Sequence, residues 1–302
     1  MKFSKTFLKA LLIACSLGIS FSASAEEETK FDIQSCPTAE TGNNTLEYIM
    51  RDLGGACLHT PDKFEIVIYE MGLCPGNENP IKNSGTSFNT SKCVKSMESS
   101  TGFKVDLAPG NSSEKTAALP QAKKRPPSDT YNYAYIILSK NIKLKGSYTY
   151  KNQDGSETTC VSTQGEFEDG YKYGKADCSS GATAQDHFDD LNDMGDGTTW
   201  AGYMESTPMP TGGSVEAILL KADNSAATQK SEVSKLVGLF KTANDSPVVI
   251  TDSSSGLEMV LEVSVNSEGK GGSYMLQVNG DNEGLFLEGF GSAPFKPRFT
   301  TF

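Results

Sequence analysis

Short β-prone runs separated by Gly, Pro and Asn constrain this chain more than any other feature of its sequence. From Leu257 to Val265 every second residue is apolar, which is the period of a half-buried strand. The run from Tyr131 to Leu138 is rich in aromatic and β-branched residues, which also favour strands. Because such runs follow one another at short spacing, they favour antiparallel sandwiches over a parallel α/β sheet. We therefore expect a mainly β fold.

One helix is predicted near the N-terminus. Between Asn44 and Leu53, apolar residues recur at helical spacing and the pair Gly54-Gly55 follows. The segment from Ser231 to Ala243 fits either a helix or a strand, and Gly238 favours the strand. The strand that begins at Phe64 is expected to reach Met71 and to turn at Gly72.

A composition change divides the remainder of the chain. Residues 179–214 are rich in Gly, Ser, Thr and Asp and show little periodicity, which is typical of a boundary. We predict two antiparallel β-sandwich-like halves with a short N-terminal helix. The expected units are a signal peptide (1–25), an N-terminal cap with the helix (26–62), a disulfide-stapled sandwich (63–180) and a C-terminal β domain (181–302).

The first 25 residues have the three parts of a secretory signal. Lysines precede an apolar stretch, which ends at Ala23-Ser24-Ala25, so cleavage is expected before Glu26. The stretch between Lys9 and Glu26 is too short for a permanent span, which takes about 20 residues. The residues Leu12 to Cys15 resemble the lipobox of bacterial lipoproteins, which implies a lipid anchor at Cys15. The short apolar core before Cys15 favours cleavage at the later site, and hence a periplasmic, cell-surface or extracellular protein.

Six cysteines remain after export, and an even number in an oxidising compartment indicates disulfides. Six cysteines allow 15 pairings. Their order along the chain suggests three local pairs, Cys36 with Cys57, Cys74 with Cys93, and Cys160 with Cys178. Zinc ligation is disfavoured because the sequence has no Cys-x-x-Cys.

Charge and motifs narrow the function classes. The net charge of −11 argues against nucleic-acid binding, which needs clustered Lys and Arg. The sequence contains no Gly-x-Ser-x-Gly, no His-Glu-x-x-His and no Walker loop. Only His59 and His187 offer an imidazole base, and nothing in the sequence selects a carboxylate pair among the 38 acids. No catalytic residue is assigned.

A cluster of oxygen-bearing side chains lies between Asp186 and Gly197. Hard oxygen ligands at this density suit calcium, which takes six to eight of them. The pattern departs from a helix–loop–helix calcium loop, so an acidic solvated loop is the simpler interpretation. If calcium binds, the expected ligands are Asp189, Asp190, Asn192, Asp193 and Asp196.

Trp200 and Tyr203 follow that acidic loop. Exposed aromatic side chains beside an acidic loop stack on sugar rings in many binding sites. The alternative is that Trp200, the only Trp of the chain, fills a core.

Three functions remain open at this point. The pattern favours an exported, non-catalytic surface or structural protein for adhesion or assembly, without a cofactor. Its partners would be other surface or envelope proteins, or glycans. The alternatives are a calcium-assisted carbohydrate-binding module and a secreted hydrolase with an unrecognised carboxylate site.

Overall fold

The structure, a computed structural model, describes residues 33–39, 42–76, 78–82, 85–108, 125–164, 174–194, 199–208, 213–241, 247–254, 257–265, 271–293 and 296–301. The predicted signal peptide and Cys15 lie outside these residues. The described residues form mainly strands, together with one α-helix, α1 (Leu46–Asp52), and one 3-10 turn (Lys230–Glu232). The predicted mainly β, antiparallel fold with a short N-terminal helix is confirmed. No helix in the described part of the chain is long and apolar enough to cross a membrane.

The strands are numbered in chain order. The first eight are β1 (Ala56–His59), β2 (Lys63–Pro75), β3 (Ile81–Lys82), β4 (Ser87–Phe88), β5 (Val94–Asp106), β6 (Asp129–Ser139), β7 (Asn141–Lys145) and β8 (Ser147–Lys151). The next six are β9 (Glu157–Ser162), β10 (Gly174–Asp177), β11 (His187–Asp190), β12 (Tyr203–Pro208), β13 (Ser214–Leu220) and β14 (Lys235–Lys241). The last five are β15 (Val248–Ile250), β16 (Leu257–Glu262), β17 (Tyr274–Asp281), β18 (Gly284–Ser292) and β19 (Lys296–Thr301).

The described strands form two large antiparallel sheets. The six-stranded sheet has the order β1-β17-β18-β10-β9-β8. The nine-stranded sheet has the order β11-β7-β2-β6-β14-β13-β12, with β15 beside β6 and β5 beside β2. Strands β6 and β7 follow each other along one side of β2, from Pro75 back to Lys63, while β5 pairs with the other side. Two smaller ladders join β3 to β4 and β16 to β19.

The main core lies between the two large sheets. It includes Phe64 and Ile66 from β2, and Tyr274 and Phe290 from the facing six-stranded sheet. A second cluster covers the outer face of the nine-stranded sheet and includes Tyr133 and Tyr135. Strand β6 is therefore buried on both faces. This explains why the run from Tyr133 to Leu138 is apolar and buried at every position instead of alternating.

Helix α1 is capped at both ends. The Thr45 hydroxyl accepts a hydrogen bond from the Tyr48 N–H, at 3.2 Å, and satisfies one of the first donors of the helix. Gly54 and Gly55 then adopt positive φ angles of 72° and 86°, which end the helix at little steric cost. Ile49 is fully buried and anchors the helix on the core.

The predicted turn at Gly72 is wrong, because β2 continues through it to Pro75. A β-carbon at Gly72 would lie 2.5 Å from the Tyr135 ring, so glycine is required there by the close approach of an aromatic side chain. The strand predicted for the ambiguous segment around Gly238 is present as β14.

The three disulfides join the local pairs that the cysteine order suggests. They link Cys36 to Cys57, Cys74 to Cys93, and Cys160 to Cys178. The second one closes the segment that carries the β3–β4 hairpin. Three disulfide bonds indicate an oxidising, exported environment.

The two sheets do not follow the predicted boundary near residue 180. Strand β6 pairs with β14, and β10 pairs with β18, so each sheet contains strands from both predicted halves. The two sandwich layers are thus built by the whole described chain together.

Candidate functional site

Trp200 and Tyr203 do not form one platform. Trp200 is half-buried against the core between the sheets, and its Nε1 donates a hydrogen bond to the Asn192 carbonyl at 2.9 Å. Tyr203 packs on the outer face of the nine-stranded sheet, where its hydroxyl donates to Glu216 at 3.2 Å. Burial and the neighbouring Glu216 raise the pKa of Tyr203 to about 12. The two rings therefore belong to opposite faces of one sheet.

The four described members of the predicted calcium set also diverge. Asp189 is buried and accepts two hydrogen bonds from Ser292, one from the N–H at 2.8 Å and one from the hydroxyl. Asp190 lies on the other face of β11 and pairs with the Lys140 ammonium at 3.0 Å. Asp193 accepts a hydrogen bond from the Ala201 N–H, and Asp196 lies outside the described residues.

No metal site is assembled in the part of the chain that the structure describes. Within it, no three His, Cys, Asp or Glu side chains are close enough together to hold a metal ion. The divergence has a simple cause. Successive side chains of a strand point to opposite faces, so Asp189 and Asp190 cannot share one ligand sphere while β11 stays extended.

Two buried glutamates were not singled out from the sequence. Glu70, 5% exposed on β2, accepts a hydrogen bond from the Tyr135 hydroxyl at 2.7 Å and pairs with the Lys95 ammonium at 3.0 Å. Glu216, 7% exposed on β13, accepts a bond from the Asn79 side-chain amide at 2.7 Å in addition to that from Tyr203. A signal existed in the sequence, since each glutamate stands directly beside a run of apolar residues.

His187 and Asp189 are two polar side chains buried inside the sandwich. Both point from β11 toward the six-stranded sheet, where a β-carbon at Gly174 would lie 2.4 Å from the His187 Nδ1. Neither ring nitrogen of His187 has a hydrogen-bond partner among the described residues. Burial lowers the pKa of His187 to about 4, against a smaller opposing effect of Asp186, and burial raises the pKa of Asp189. His187 is therefore neutral at physiological pH.

An open cleft lies beside helix α1. Its volume is about 360 Å³, within the range of small-molecule sites. The apolar and aromatic part of its wall consists of Leu46, Tyr150 and Leu285. The polar part comes from Glu47 and from the end of β8 and the turn after it, namely Lys151, Asn152, Gln153 and Asp154.

The walls of this cleft are tied to each other. The Gln153 side-chain amide donates to Glu47 Oε1 at 2.9 Å, which joins the turn to the helix. The backbone N–H of Lys151 donates to the Asn44 carbonyl at 2.8 Å, just before the helix begins. These two contacts link the turn after β8 to the start of the helix.

Comparisons of the chain with protein-family models, with curated proteins and with solved structures found no match.

Proposed function

We propose that the chain is an exported, non-catalytic surface protein that acts in adhesion, with envelope proteins or glycans as its binding partners. Export is supported by the leader pattern of the sequence and by the three disulfides. Calcium assistance and a Trp200 platform are not part of this proposal, because the residues that they require lie apart.

The observation that carries the proposal is the use of the buried carboxylates. Glu70 links β2 to β5 and β6, Glu216 links β13 to β12 and to the segment before β3, and Asp189 links β11 to β18. A glycosidase needs two carboxylates that face a substrate. These three face neighbouring elements instead, so they hold strands together and are not free to act on a substrate.

The direct test compares the organism that makes this chain with a strain from which the gene is deleted. We expect the deletion to reduce attachment to surfaces and cell-to-cell aggregation, and re-expression of the chain to restore both. Complementation with Glu70→Gln or Glu216→Gln provides a matched control. Either amide keeps a side-chain oxygen as acceptor, so a folded variant should restore attachment.

The competing hydrolase function predicts that the purified chain turns over a substrate. The purified, oxidised chain is incubated with panels of glycoside, ester and peptide substrates. Turnover of any of these substrates would contradict the proposal, as would unchanged attachment and aggregation in the deletion strain.

A further inference from the structure

We infer that the cleft between helix α1 and the β8–β9 turn binds a neutral sugar residue. This inference rests on the proposed function and names the ligand class through which the surface protein would adhere. It moves the sugar site away from Trp200 and Tyr203 to residues around Tyr150 that the sequence patterns did not select.

The cleft combines the two kinds of surface that a sugar ring requires. A pyranose has a C–H face that packs on aromatic and aliphatic side chains, and here the partly exposed Tyr150 and Leu285 line the cleft beside the nearly buried Leu46. Its rim of hydroxyl groups needs polar partners in fixed positions. The polar residues Glu47, Asn152 and Gln153 line the same cleft.

The polar wall is held in place by bonds that use its donors. The Asn152 amide nitrogen donates to Ser156 Oγ and to Thr158 Oγ1, both at 2.9 Å. The Gln153 amide nitrogen donates to Glu47 Oε1. The side-chain carbonyl oxygens of Asn152 and Gln153 and the second oxygen of Glu47 accept no hydrogen bond from any described residue. The cleft therefore presents acceptors, which match a ligand rich in hydroxyl donors.

Charge favours a neutral sugar over an anionic one. The carboxylates of Glu47 and Asp154 line the cleft against the single ammonium of Lys151, and the whole chain carries a net charge of −11. A sialylated or sulfated glycan would meet like charge both at the cleft and on approach.

The test is an array that carries glucose-, galactose- and mannose-terminated glycans beside sialylated and sulfated ones, probed with the oxidised chain. We expect binding to one or more neutral glycans and none to the anionic series. Tyr150→Ala removes the aromatic wall, and Gln153→Ala removes an acceptor and the bond to Glu47. Each should weaken binding by about ten-fold or more.

Two controls separate binding from folding. Tyr150→Phe keeps the ring and should retain most of the binding. Phe188→Ala removes an aromatic side chain that is 49% exposed on β11, away from the cleft, and should change nothing. If Tyr150→Ala fails to fold, the glycan binding of Gln153→Ala alone tests the inference.

The inference is contradicted if the chain binds none of the neutral glycans on the array. It is also contradicted if the chain binds neutral glycans and neither Tyr150→Ala nor Gln153→Ala weakens that binding. Both results leave the adhesion proposal intact if the deletion strain still loses attachment. Turnover of a substrate, in contrast, would contradict the proposed function itself.

Discussion

At the scale of single residues, several glycines mark places where a ring occupies the position of a β-carbon. Gly72 lies under Tyr135, Gly146 under Tyr274, and Gly174 against His187, each with less than 3.0 Å between the missing β-carbon and the ring. Sequence patterns interpret glycine as a turn or a break, which is why Gly72 was misassigned. The ring that excludes a side chain comes from a distant part of the chain and leaves no local trace.

Gly174→Ala tests this packing. The new methyl group would lie 2.4 Å from the His187 imidazole, so the six-stranded sheet or the ring must shift, and we expect a loss of about 1–3 kcal/mol in the free energy of unfolding. Gly238→Ala is the matched control in another strand, because its nearest neighbour is the tip of Phe240 at 3.3 Å. Denaturant unfolding measures both variants, and equal losses would show that the contact with His187 has no special cost.

At the scale of elements, the sequence predicted the helices and strands that are marked by residues within the element itself. Helix α1 and strand β16 follow from periodicity, β6 from its aromatic and β-branched residues, and β14 from Gly238, which favours the strand over a helix. The β3–β4 hairpin has no comparable local signal, because each of its strands is only two residues long. The hairpin contacts the outer face of the nine-stranded sheet through Phe88, whose ring centre lies 5.3 Å from that of Tyr135. Exposed ion pairs of Glu78 with Lys82 and Lys92 lie within the hairpin segment.

The disulfide between Cys74 and Cys93 should stabilise this hairpin on the outer face of the sheet. Replacing both cysteines by serine opens a loop of about 20 residues, for which chain entropy predicts a loss of about 3 kcal/mol. Hydrogen exchange should become faster between residues 76 and 93 in that variant. The matched variant without Cys160 and Cys178 should lose similar stability yet keep slow exchange in the hairpin. Equal exchange in both variants would contradict a local role for the bond.

At the scale of the whole molecule, the mainly β class could be predicted and the strand pairing could not. Antiparallel partners such as β6 and β14 are about 100 residues apart in the chain, and no local pattern encodes such a pairing. The candidate cleft could not be predicted from local patterns either. Trp200 and Tyr203 are three residues apart but lie on opposite faces of a sheet, whereas Tyr150 and Leu285 meet across one cleft.

The buried, neutral His187 makes the fold sensitive to acid. Its pKa of about 4 lies below the unfolded value of 6.5, so the unfolded chain binds the extra proton between these values. The free energy of unfolding should therefore fall as the pH is lowered from about 6.5 to 4, by about 3 kcal/mol from this residue. Asp189 has the opposite effect on stability. Burial raises its pKa, so the folded chain binds this proton more readily and the free energy of unfolding rises as the pH falls through that range.

His187→Leu separates the contribution of His187 from that of His59, whose pKa burial also lowers to about 4. Leucine removes two buried ring nitrogens without partners in the described residues, so stability at pH 7 should be equal to or above that of the parent chain. The acid-dependent loss should shrink by about 3 kcal/mol. Thermal unfolding at several pH values measures both effects, and an unchanged pH dependence would contradict the account.

The central claim is that this chain binds and does not transform its ligand. Native mass spectrometry of the oxidised chain, mixed with neutral oligosaccharides, tests that claim most directly because it detects complexes and products together. We predict a complex that contains the intact oligosaccharide and that is lost in Tyr150→Ala. Shortened oligosaccharides, or no complex with any neutral sugar, would contradict it.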